Sequence, residues 1–287
     1  MRLILLLGLL VILPLSSCKK NKNLSGMNII FLHHSTGRLI WQGGQASLFA
    51  KAVRKINQDL ANTVTRQARL PELLDRYNSQ NNKNYTIREM NFPKASPYGW
   101  HNYPYDYYNI WVKNTGPEKF MEEPTLEMLT QNYQVIIFKH CFPVSNIQPD
   151  KDDADINSDY RSLANYKLQY DALKDKLHEF PDTKFIIFTG AALEKNSVME
   201  DEARRAKEFF SWVINEWDVP NDNIHLWDLY TLETEGGLYL KDEYTTSPGD
   251  SHPNNMFASK ASELLFNRII DVIENNGEKT RLTGEPN

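Results

Sequence analysis

Asn28-Ile29-Ile30-Phe31-Leu32-His33-His34-Ser35-Thr36-Gly37 is the stretch on which the reading of this chain turns. An apolar run stops on a serine, and a glycine follows closely. Near-continuous apolar strands are what a parallel sheet covered on both faces requires. In such sheets ligands bind outside the carboxyl ends of the strands, so Ser35 belongs on that rim. A hydroxyl is a poor nucleophile at neutral pH; it needs a base within hydrogen-bond reach and a group to orient that base. More than two hundred residues later, Gly249-Asp250-Ser251-His252-Pro253-Asn254 offers an acid and an imidazole two residues apart in a glycine- and proline-bounded loop. Together these segments predict a serine hydrolase: Ser35 as nucleophile, His252 as base, Asp250 as the acid that orients it.

Working outward, similar apolar runs recur at Tyr85–Met90, Val135–Phe138, Phe185–Thr189 and Ile224–Trp227. The first carries Arg88 and Glu89 and is expected to be partly exposed. Helical periodicity fills the gaps. Phe49, Val53, Ile56 and Leu60 share one stripe, and Pro71 lies at the start of another helix. Tyr166, Tyr170, Leu173, Leu177 and Phe180 form a third stripe, and Ala203, Ala206, Phe210, Val213 and Trp217 a fourth. A last helix is expected from about Met256 to Glu274, which places His252 on the loop before it. Strands alternating with helices imply right-handed crossovers and a three-layer α/β/α sandwich around a mainly parallel five-stranded sheet.

The amino terminus supplies an address. Met1-Arg2, an unbroken apolar run from Leu3 to Leu13, and Pro14-Leu15-Ser16-Ser17-Cys18 describe a secretory signal, too short to span a bilayer. Leu15-Ser16-Ser17-Cys18 resembles a bacterial lipobox, which implies that residues 1–17 are removed and that Cys18 carries lipid. Residues 18–26 then form a polar tether, 27–276 one domain, and 277–287 a frayed tail. The expected location is extracytoplasmic, lipid-anchored to a bacterial membrane, with the outer membrane favoured. With Cys18 acylated, Cys141 is the sole remaining thiol and no intramolecular disulfide can form. A formal net charge of −5 without a basic block argues against nucleic acid as a partner. No dinucleotide, phosphate-loop or zinc motif is present; His33 and His34 could hold a metal with Asp250 and His252, but adjacent residues on a strand end point to opposite faces, so no cofactor and no metal are expected. The Gly-x-Ser-x-Gly elbow is half present: Gly37 fits, but His33 stands where the first glycine is needed.

The two segments resemble the SGNH/GDSL hydrolase superfamily. There the serine follows the first strand in a Gly-Asp-Ser block, and acid and histidine share a C-terminal Asp-x-x-His block, commonly followed by proline. Ile30-Phe31-Leu32-His33-His34-Ser35 and Asp250-Ser251-His252-Pro253 stand in those places and bracket the mature body. His33-His34 replaces Gly-Asp, and the acid-to-histidine spacing is one residue short. The resemblance implies a flavodoxin-like SGNH fold and an oxyanion hole built from the Ser35 backbone, Gly99 and Asn146. The usual Gly-x-Asn-Asp is absent after the third strand; Ser145 or His140 could stand in for Asn146.

From Phe92 to Trp111 the chain carries eight aromatic residues in twenty, against 11% overall. With Pro93, Pro97 and Pro104 this segment is predicted as a long ordered loop. Its rings suit sugar stacking or, alternatively, cover the core beneath an insertion. Trp100, Tyr103 and Tyr105, with His34, are the candidate substrate-binding residues. The reading is thus a cell-envelope lipoprotein that hydrolyses O-acyl esters, acetyl esters of carbohydrates foremost. Its partners are a small-molecule or polysaccharide ester and the membrane. The alternative is a non-catalytic glycan-binding or envelope-assembly lipoprotein with a degenerate site.

Overall fold

A computed structural model describes residues 26–44, 68–94, 96–99, 101–151 and 153–287. The signal segment, Cys18, the predicted helix over residues 49–60 and Trp100 lie outside the described residues. Five strands form one sheet: β1 (Asn28–His33), β2 (Thr86–Asn91), β3 (Val135–Phe138), β4 (Lys184–Phe188) and β5 (Ile224–Trp227). Their order is β2-β1-β3-β4-β5 and every pairing is parallel. The expected α/β architecture is therefore present. β1, β3 and β5 read as apolar runs because their residues are buried on both faces, apart from the exposed Asn28. β2 is an edge strand and stays largely exposed, which accounts for Arg88 and Glu89.

The helices are α1 (Ser35–Gln42), α2 (Arg69–Asn81), α3 (Pro104–Tyr107), α4 (Leu126–Asn132), α5 (Leu163–His178), α6 (Glu200–Trp212), α7 (Leu229–Thr234) and α8 (Asn255–Asn275). α1, α2 and α8 pack together as one outer layer; α3, α5 and α6 form the other. α6 and α3 each run on into a π-helical turn, at Val213–Trp217 and Tyr108–Lys113. No described helix is long and apolar enough to cross a membrane.

Two expectations require correction. The aromatic segment is not loop throughout. Pro104 occupies the first helical position, where its missing N–H costs nothing, and Asp106 accepts the Tyr103 N–H at 3.4 Å. Phe92, Tyr107 and Trp111 are fully buried, with ring centroids 4.8–5.2 Å apart, and Tyr107 stacks on Phe138 of β3. These rings are core. Nor does the tail fray. Asp271 accepts the Lys279 N–H, the Thr280 N–H and the Thr280 hydroxyl at 2.7–3.1 Å. Arg268 Nη1 donates to the Gly277 carbonyl at 2.8 Å. The Trp227 indole donates to Thr283 O at 3.0 Å, and Asp228 N–H to Leu282 O at 2.9 Å. Backbone carbonyls and amides of the tail make most of these bonds, so its polar composition conceals the anchorage.

Candidate active site

β1 delivers Ser35 to the carboxyl rim as the first residue of α1, with its side chain exposed. The turn from strand to helix is tight because Gly37 lies against its own strand. A Cβ at Gly37 would collide with His33 Cβ, and would stand 2.7 Å from His33 Cγ and 3.1 Å from Lys139 Cδ. The glycine read as part of an elbow thus permits close helix–strand packing.

The C-terminal loop is fixed at several points. Asn254 caps α8 by accepting the Phe257 N–H at 3.0 Å, while its own N–H donates to Tyr244 O. Ser251 accepts the Glu194 N–H at 3.0 Å, which ties the loop to the chain leaving β4. Within this frame Asp250 Oδ1 lies 2.7 Å from His252 Nδ1 and accepts the His252 backbone N–H at 3.0 Å. One oxygen holds both groups, so a two-residue spacing suffices for the pair. The backbone hydrogen bond, then the ring contact and charge, hold the Asp250 carboxyl below its ordinary range. An ionised carboxylate only accepts, so Nδ1 carries the proton, and in the neutral ring that leaves the Nε2 lone pair free.

The chain after β3 joins the two halves. Lys139 lays its stem beside Gly37, and three residues later the Phe142 ring packs edge-on against His252, with centroids 5.2 Å apart. Among the described residues the Ser35 hydroxyl has no hydrogen-bond partner. Ser35 and the Asp250–His252 pair therefore share the rim without a closed Ser35–His252 hydrogen bond.

The other candidates fall out differently. His34 is half-buried, and its Nε2 is bonded to the Pro93 carbonyl, so this ring ties the β2 exit to the β1 exit. His33 is buried, with Nε2 3.0 Å from Glu89 Oε2. Burial lowers the pKa of both histidines. Gly99 has positive φ and open space around the position of a Cβ. Asn146 spends its Oδ1 on Arg161 Nη1 at 3.0 Å. Ser145 donates to Ala191 O at 2.6 Å, and His140 is boxed among Tyr107, Phe138 and Tyr170, so neither substitutes on the rim. Tyr103 is buried and donates to Asp159 O; Tyr105 is half-buried and accepts from Asn109. No group of three or more His, Cys, Asp or Glu among the described residues is placed to hold a metal ion.

Two buried ionisable side chains that no motif marks lie beneath the rim. Lys139 is 1% exposed, with Nζ 3.7 Å from Cys141 Sγ. Glu233, on α7, is fully buried and accepts the Ala192 N–H at 2.5 Å; burial pushes its carboxyl up to about 8. A lysine directly after an apolar strand was the available signal for the first. Nothing in the local sequence marks the second.

No family model and no curated protein matches the chain. Among solved structures, a carbohydrate esterase whose active site displays divergent catalytic and non-catalytic binding functions is similar to it. The TM-score is 0.38 and the identity 12%, over 85% of this chain and 68% of that one. At that level of superposition the likeness fixes neither the fold family nor the activity.

Proposed function

We propose that this protein is a serine esterase of SGNH type that cleaves O-acyl esters, acetyl esters of carbohydrates foremost, from a lipid anchor at Cys18. The observation that carries the reading is the Asp250–His252 pair, preset at 2.7 Å on the rim that also presents Ser35 at the start of α1. In the proposed reaction Ser35 Oγ attacks the acyl carbonyl carbon while His252 Nε2 takes the hydroxyl proton. Asp250 stabilises the imidazolium, which then returns the proton to the departing alkoxide. Water repeats the sequence on the acyl-enzyme and releases the acid. Each backbone donor aimed at the developing oxyanion contributes about 3–4 kcal/mol in comparable sites. The Ser35 N–H, at the first turn of a helix, is well placed in the fold for that part.

The test is hydrolysis of 4-nitrophenyl acetate together with labelling by a fluorophosphonate. Ser35→Ala and His252→Ala are each expected to lower turnover by at least about 10⁴-fold, and the double variant to be little worse, because the members act as a unit. Wild-type protein that neither turns over the ester nor takes the label would end the esterase reading. One observation favours a second reading, a glycan-binding lipoprotein with a degenerate site: among the described residues no hydrogen bond joins Ser35 to His252, whose Nδ1 is paired with Asp250.

A further inference from the structure

The side of the molecule next to the rim holds a cleft of about 520 Å³ between β2 and α4. Thr86, Arg88 and Met90 alternate along β2 and face it, and at one end it includes Asn28, Asn132 and Tyr133. At the other end it takes in Lys94, the residue after Pro93, whose carbonyl is held by His34 next to Ser35. Thr86 to Met90 alone spans about 13 Å at the usual strand rise. The cleft therefore runs along the open edge of the sheet up to the nucleophile's rim.

Its lining is chemically distinctive. Arg88, Lys94 and Lys119 are all exposed, and among the described residues none of their cationic groups forms an ion pair. Among the described residues only one carboxylate, Glu122, lines the cleft with them, on a chain whose formal net charge is −5. Met90, Met128, Leu129 and the half-buried Tyr133 ring supply an apolar floor. Separated cations suit a chain with regularly spaced anions, and a tyrosine face beside them suits a sugar ring. The described rings of the aromatic segment are largely core, the second of the two alternatives for them, which leaves this cleft as the better placed candidate for sugar contact.

We propose that the β2–α4 cleft binds an anionic polysaccharide, a chain of carboxylated sugars, and leads its acylated units to Ser35. This deepens the esterase reading and rests on it for the second clause alone. The probe is polygalacturonate binding to the full chain by titration calorimetry. The Arg88→Glu/Lys119→Glu double variant is expected to weaken binding by about tenfold or more, and added salt to weaken wild-type binding, since exposed charges are screened. Its melting temperature and its turnover of 4-nitrophenyl acetate should match the wild type, because neither residue touches the catalytic pair. On acetylated polygalacturonate the same variant should raise KM and leave kcat near its wild-type value.

Four results would overturn the proposal: no polygalacturonate binding by wild type, unchanged affinity in the double variant, equal affinity for neutral xylan, or displacement of polygalacturonate by a DNA oligonucleotide at lower concentration. Affinity is read without turnover. An inactive protein that still binds polygalacturonate through Arg88 and Lys119 would remove the esterase reading and keep the cleft.

Discussion

Two carboxylates stand under the same edge of the sheet in opposite protonation regimes. Asp250 has a side chain 40% exposed and receives two hydrogen bonds from His252, which hold its pKa low. Glu233 is fully buried with one backbone donor, and its pKa is raised to about 8. The Lys139 charge lowers that value but does not cancel the desolvation. Environment, more than residue type, separates an acid fit to orient an imidazole from one kept neutral as part of the packing. Position in the fold explains the difference. Asp250 lies in a loop that reaches solvent, whereas Glu233 sits on α7 beneath the chain leaving β4.

The largest effect that could break this contrast comes from Asp250→Asn. The amide can donate to Nδ1 and so favours the wrong tautomer of His252. Turnover of 4-nitrophenyl acetate is expected to fall by about 10³–10⁴-fold while the melting temperature barely moves. A loss under about tenfold would show that Asp250 does not orient His252 in turnover.

Gly37→Ala touches both halves, because its neighbours are His33, two residues before Ser35, and the stem of Lys139, whose charge acts on Glu233. In an ordinary helix this change would stabilise by about 0.5–1 kcal/mol. Here the added methyl meets His33 and Lys139, so a net destabilisation of about 1–3 kcal/mol is expected in urea unfolding. Reduced turnover should accompany it, from a displaced Ser35. A stabilised, fully active variant would refute the tight turn.

The narrowest test, confined to one side chain, sharpens the buried side. The folded pKa of Glu233, about 8, lies above the unfolded value near 4.3. Below about pH 4 the residue is protonated in both states and contributes no pH dependence. As the pH rises toward 8, the unfolded chain ionises while the folded one holds its proton, so stability falls across that window. Above about 8 the loss is complete. Glu233→Gln should remove this term: equal to wild type near pH 4, and increasingly more stable than wild type as the pH approaches 8. Parallel urea curves at pH 4, 6 and 8 would show that Glu233 is not held neutral.

How much of this could be read in advance depends on how local the cause was. The apolar runs at Ile29–Leu32, Val135–Phe138 and Ile224–Trp227 fixed strands, and their alternation with helical stripes fixed a parallel sheet, because burial on both faces imposes a composition that needs no partner's identity. Gly249-Asp250-Ser251-His252 likewise encodes its own hydrogen bond, since a single residue, Ser251, separates acid and imidazole. Tertiary structure alone decided the rest. It alone showed that the rings from Phe92 to Trp111 largely face inward, because a stacking surface and a core look alike in composition. The docking of the tail depended on Asp271 and Arg268 meeting its backbone groups. The alignment of Arg88, Lys94 and Lys119 on one cleft, and the burial of Glu233 below Lys139, depend on segments far apart in sequence converging, which a linear pattern does not carry.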